Sequence, residues 1–191
     1  VKRWASWKPD PAFEGSDKGF ALWIMDLYYK LLNCGFQLPA SGGSACGVKP
    51  LAVGYNRVYV KLDQPFSYEN FFRNLKQGRS FSTNGPMLDL KVNGNGIGSK
   101  IEFNGRTKIE IEATAESGTE LESLEIIVNG EPRGAVSGSK GKLAARQTLE
   151  VSDSLWVAAR AFERSSQTVV FGQTSPIYVL RDGQPVHIGA S

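Results

Sequence analysis

Two textures of hydrophobic patterning meet near Asn84. Upstream, Phe20, Trp23, Ile24, Leu27, Tyr28 and Leu31 recur at spacings of three and four. That period predicts an amphipathic helix with one thick core-facing side. Ser16 or Asp17 caps its start, Asn33 lies near its end, and Gly35 terminates it. Phe36 to Ala40 reads as a short buried strand leading into the glycine-rich turn Ser41 to Gly47. Tyr55 to Leu62 has the β-branched and aromatic content of a strand. A second helix begins at Ser67, carries Glu69 at its positive end, turns Phe71, Phe72 and Leu75 inward, and closes at Gly78. Arg79 to Thr83 follows as another strand. The opening sixteen residues set Trp4, Trp7 and Phe13 among Pro and Gly, which predicts irregular chain packed onto the rest.

Downstream of Asn84-Gly85-Pro86 the period shortens to two. Strands are expected at Met87–Val92, Thr107–Ala115, Leu121–Val128, Lys142–Leu149, Leu155–Phe162 and Ser175–Leu180. Asn93-Gly94-Asn95-Gly96, Asn129-Gly130 and Asp182-Gly183 supply turns between them. In Ile109-Glu110-Ile111-Glu112-Ala113 one face is apolar and the other acidic, as in a sheet with one wet side. The expected class is α+β. Residues 1–84 form a partial α/β segment, too small to close a barrel, and 85–191 an immunoglobulin-like antiparallel β-sandwich.

Composition narrows the partners. Hydrophobic residues make up 41% and charged residues 21% of 191, as in a folded globular chain rather than a disordered one. The net charge of +3 divides unevenly: residues 1–84 hold 11 Lys/Arg against 6 Asp/Glu, and 85–191 hold 11 against 13. Without a Lys/Arg cluster this basic half reads as scattered surface charge, and nucleic acid is not an expected partner. No apolar run has the length of a membrane span, because Asp26 and Lys30 interrupt the most apolar stretch. Cys34 and Cys46 read as free, buried thiols, with an unforced disulfide between them as the alternative. With His187 as the single histidine they make no Cys/His metal cluster.

Candidate chemistry is sparse. Gly43-Ser44-Ala45-Cys46-Gly47 lacks the Lys and Ser/Thr of a phosphate loop and misplaces its serine for a nucleophile elbow. Ser44 or Cys46 as a hydrolytic nucleophile has no histidine nearby in sequence, and a tight turn of small residues explains the segment equally. Ser44, Tyr55, Asn56, Arg57, Arg79 and Asn84 are the candidate ligand-binding residues, several at strand ends where α/β barrels place phosphate or carboxylate ligands. Ion pairing and loop hydrogen bonding are their alternative roles. No catalytic residue and no metal ligand is assigned.

Leu31-Leu32-Asn33-Cys34-Gly35-Phe36-Gln37-Leu38-Pro39-Ala40-Ser41, then Gly54 to Val60, Phe66 to Asn70 and Gly78 to Pro86, resemble in order the C-terminal portion of the CehA/McbA-type metallohydrolases. These are a branch of the PHP (polymerase and histidinol phosphatase) superfamily. The resemblance spans about residues 20–90. It implies a distorted (β/α) barrel in which divalent metals, held by histidines and acids, activate water against a phosphoester, ester or carbamate. Where that family's late ligand turn would fall, Ala45 replaces the aspartate and Gly47 a histidine, and neither can hold a metal.

The resemblance therefore implies a non-catalytic C-terminal region with a supporting or recognition sandwich, no cofactor in this chain, and a divalent metal in a full-length relative. The expected partner is an upstream barrel region of the same protein or a second copy of the chain, because an incomplete barrel leaves apolar edge strands exposed unless a partner or the sandwich itself pairs with them. The competing functions are a free-standing carbohydrate- or protein-binding module, with Trp156, Phe162, Phe171 or Tyr178 as an aromatic platform, and a small hydrolase using Ser44 or Cys46. The residues do not identify the compartment; an extracytoplasmic or periplasmic location is the working expectation.

Overall fold

The computed structural model describes residues 15–48, 50–165 and 168–188, so the expectation for Trp4, Trp7 and Phe13 lies outside the described residues. In chain order the elements are α1 (Asp17–Asn33), β1 (Arg57–Val60), α2 (Tyr68–Lys76), β2 (Ser80–Thr83), β3 (Met87–Val92), β4 (Asn95–Gly96), β5 (Lys100–Phe103) and β6 (Thr107–Glu116). They continue with β7 (Leu121–Val128), β8 (Glu131–Ser137), β9 (Lys142–Val151), β10 (Leu155–Glu163), β11 (Phe171–Thr174) and β12 (Ile177–Arg181). Both helix starts are capped as their sequences require: Ser16 Oγ accepts from Gly19 N at 3.0 Å, and Ser67 Oγ from Asn70 N at 3.1 Å.

Two sheets face each other. The smaller runs β4-β3-β6-β9, all antiparallel. The larger is centred on β10, which pairs with β7 on one edge and with β11 and β12 in succession on the other. β8 extends it beyond β7, β2 and β1 extend it beyond β11, and β5 joins β12 in parallel. Leu90, Ile109, Ile111, Leu121, Leu124, Ile126, Val157 and Ile177 fill the space between the sheets. Burying each Ile or Leu contributes about 1.5–3 kcal/mol. The acidic positions Glu110 and Glu112 lie on the wet face, as the alternation predicts.

Strand β10 is apolar on consecutive positions because both of its faces are covered. Leu155, Val157, Ala159 and Ala161 point into the sandwich core. Trp156, Ala158 and Phe162 point the other way, into a second core with Met25, Tyr29 and Leu32 of α1. The helix therefore lies on the outer face of the large sheet. Its inward residues are Gly19, Trp23, Met25, Tyr29 and Leu32, whereas Phe20, Ile24 and Leu31 of the expected stripe face out at 45–48% exposure. The helix is apolar around much of its girth, so the period allows two stripes. Tyr29 selects between them: its ring lies 5.1 Å from that of Trp156 and its hydroxyl donates to Gln173 Oε1 at 2.7 Å.

The structure is thus a mostly antiparallel β-sandwich with two helices. The strands expected in the first segment belong to it: β2 hydrogen-bonds to β11 with Gly172 opposite Thr83, across the expected 84/85 boundary. Phe36 to Ala40 is not a strand. Phe36 and Leu38 are exposed, and the Ala40 N–H is taken by the Ser175 side chain at 2.9 Å rather than by a ladder. Of the two states the sequence allowed, Cys34 and Cys46 are free thiols rather than a disulfide, and they are exposed instead of buried. Among the described residues no helix is long and apolar enough to cross a membrane.

Helix α2 buries amides more deeply than its aromatic pattern predicts: Phe71 and Leu75 of the expected inward set are only half-buried. Asn70 and Asn74 are its buried residues, at 3% and 0% exposure, while Phe72 stands 60% exposed. The asparagines are buried because each finds several partners. Asn70 Nδ2 donates to the Gln64 and Pro65 carbonyls at 3.0 and 3.1 Å. Asn74 Nδ2 donates to Asn70 O and Oδ1, both at 2.8 Å, and to Asp63 Oδ1 at 3.1 Å. A satisfied amide costs little to bury, and these bonds hold the turn before the helix in place.

Candidate functional site

Strands β11 and β12 are nearly one strand along β10, broken at Ser175-Pro176. Proline has no N–H to give the ladder, and Thr174 Oγ1 accepts from Ala159 N at 2.9 Å across the break. On the outer edge the two parts take different neighbours: β2 lies beside β11 and β5 beside β12. The large sheet forks there. A cleft of about 700 Å³ opens at the fork, within the size range of small-molecule sites.

Both sides of the cleft are held by close backbone contact. A Cβ added at Gly98, whose φ is +81°, would fall 2.5 Å from the Gln77 carbonyl and 2.6 Å from the Gly78 carbonyl carbon. Only glycine lets the β4–β5 loop approach the end of α2 this closely. Ser175 N donates to Ser80 O at 3.0 Å, and the Ser80 and Ser175 hydroxyls lie 3.2 Å apart. From the opposite flank, Tyr178 N donates to Ser99 O at 3.0 Å.

Arg73, Lys76 and Arg79 face the cleft from the α2 side, and Lys100 from β5. Asp63 Oδ1 accepts from Arg73 and Asp63 Oδ2 from Arg79, each at 3.0 Å, and Arg79 also donates to Asn74 Oδ1 at 3.2 Å. The Asn74 amide, then Arg73, hold the Asp63 carboxyl below its ordinary value, so it stays charged. Tyr178 lines the cleft and is 6% exposed. Its hydroxyl is the one buried side-chain polar atom without a hydrogen-bond partner among the described residues. Burial pushes its pKa up to about 12, and the Leu38 backbone offsets this only in part. Nearby, Tyr28 donates to the Leu38 carbonyl at 2.6 Å, and burial, then Tyr178 and Tyr29, raise its pKa.

Of the six candidate residues, Arg79 alone lines this cleft. Arg57 is the first residue of β1, and Ser44, Tyr55 and Asn56 gather in the loop before that strand. There Ser44 is 7% exposed, its hydroxyl accepts from Asn56 N at 2.9 Å, and it lies 3.3 Å from Asn56 O as a donor. Arg57 clamps the same loop by donating to the Gly54 and Tyr55 carbonyls at 3.2 and 3.1 Å. Asn84 seals the start of β11: it accepts from Phe171 N at 2.7 Å and donates to Val169 O at 2.9 Å. Trp156, Phe162 and Tyr178 are buried, so they form no exposed platform; Phe171 is partly buried against the same core.

Sequence reasoning missed Arg73, Lys76 and Lys100 and gave Tyr178 a different role, that of an exposed platform, because the four come from three elements whose meeting depends on the fork. A proline interrupting a strand was the one signal that pointed there. Among the described residues no group of three or more His, Cys, Asp or Glu converges. Searches of family models and of curated proteins find no match to this chain.

Proposed function

We propose that this chain is the non-catalytic C-terminal region of a PHP-type metallohydrolase-like protein, in which the β-sandwich supports the preceding part of the protein and recognises a ligand. The observation that carries this reading is the outward aromatic face of α2. Phe66, just before the helix, and Tyr68 and Phe72 on it are 60–78% exposed; Phe66 meets Tyr68 edge-on, and Phe72 meets the half-buried Phe71 in the same way. Phe20, Ile24 and Leu31 of α1 are also exposed. Grouped apolar side chains of this kind mark surfaces that another chain segment covers. They fall within the stretch whose words resemble the closing part of a metallohydrolase barrel. The preceding barrel region is therefore the proposed partner, ahead of a second copy of this chain.

Ala45 and Gly47 at the ligand turn, and the engagement of the Ser44 hydroxyl by Asn56, support a chain without hydrolytic activity. Metal analysis together with a generic phosphodiester substrate tests this. The expected result is sub-stoichiometric metal and no turnover; stoichiometric metal or clear turnover overturns the reading. The fork cleft favours the recognition role of the sandwich over a purely supporting one.

A further inference from the structure

We propose that the cleft between β2 and β5 binds a small solute through a phosphate group. This deepens the recognition part of the reading above by naming the ligand class. Arg73, Lys76, Arg79 and Lys100 line the cleft, and no carboxylate does. Asp63 behind it pairs with both arginines, which leaves the four cations with an excess of three positive charges. Lys76 and Lys100 have no ion-pair partner among the described residues.

The two arginines are pre-positioned rather than free. Arg79 is fixed by Asp63 and Asn74, and Arg73 by Asp63 and Asn70. Holding guanidinium groups in advance lowers the ordering cost of binding, and their planar forks match phosphate oxygens. A phosphate monoester carries about −1.5 to −2 charge at neutral pH, which suits an excess of positive charge better than a single carboxylate does. Tyr178 closes one wall of the cleft at 6% exposure, with its hydroxyl buried beside the Leu38 backbone, so a solute held by the four cations is screened from water on that side.

The test is calorimetry on the full chain at low ionic strength with inorganic phosphate, glucose 6-phosphate and malate. The expected result is one site for both phosphate probes and weaker binding of malate. The Lys76→Ala/Lys100→Ala pair should lose more than about tenfold in affinity, as two partly exposed ion pairs allow. Lys91→Ala/Lys108→Ala, which removes the same charge from the other sheet, should leave binding unchanged. Absence of phosphate binding, an equal loss in the control pair, or tighter binding of malate overturns the proposal. None of these outcomes touches the non-catalytic reading, which metal content and turnover decide.

Discussion

The indole N–H of Trp156 donates to Asn33 Oδ1 at 2.7 Å, joining the last turn of α1 to the central strand of the large sheet. The same asparagine donates through Nδ2 to the Asn129 carbonyl at 3.0 Å, and its own carbonyl accepts from Ile188 N at 2.9 Å. One side chain thus fixes the rotation of the helix, the β7–β8 turn and the position of a fully buried tryptophan.

Asn33→Ala should lower stability by about 2 kcal/mol, since it strands the buried indole N–H and loses a second bond. Urea unfolding with an unchanged m-value checks this. Earlier proteolytic cleavage within α1 than in the wild type should accompany it.

Gly98 and Gly94 both have positive φ, +81° and +77°, but differ in their surroundings. A Cβ at Gly94 meets nothing within 4 Å, whereas one at Gly98 enters the Gln77–Gly78 backbone. Gly94→Ala should cost about 1 kcal/mol, the strain of the left-handed conformation alone. Gly98→Ala should cost at least about 2 kcal/mol, because backbone must move. Thermal melts of the two variants side by side make the comparison.

Asp63 has a lowered pKa in the folded chain, so its contribution is present above its ordinary value of 3.8 and is lost as pH falls through the lower folded value. The Tm difference between wild type and Asp63→Asn should therefore be constant near neutral pH and shrink below 3.8. A difference that widens with acid would contradict the network around α2.

Tyr178 has the opposite sign. Its pKa rises from 10.0 to about 12, so the unfolded chain loses this proton first and stability falls between those values. Tyr178→Phe should hold or raise Tm at neutral pH, since the hydroxyl it removes has no partner. Between pH 10 and 12 it should flatten the alkaline loss seen in wild type. Differential scanning calorimetry across that range reads both effects.

Much of the sandwich was legible because alternation leaves little choice. A one-residue slip of β6 would move Ile109, Ile111 and Ala113 into water and Glu110 and Glu112 into the core, so period and register imply each other. The strands β3 and β7 fall where the pattern put them. The short strands β4, β5, β8 and β11 did not announce themselves. β8 contains Pro132 and Gly134, and β11 has four residues, so their pairing depends on neighbours distant in the chain.

Local chemistry therefore determined the helices, their caps and the strands with one wet face, since each depends on residues three, four or two apart. Which face of each helix is buried was a tertiary decision. Nine residues of α2 carry both an aromatic and an amide face, and hydrogen bonds from Asn70 and Asn74 to Asp63, Gln64 and Pro65 turned the amides inward. The cleft was tertiary for the same reason. Its arginines, lysines and Tyr178 sit on segments about twenty to a hundred residues apart, and only the fork at Ser175-Pro176 brings them to one place.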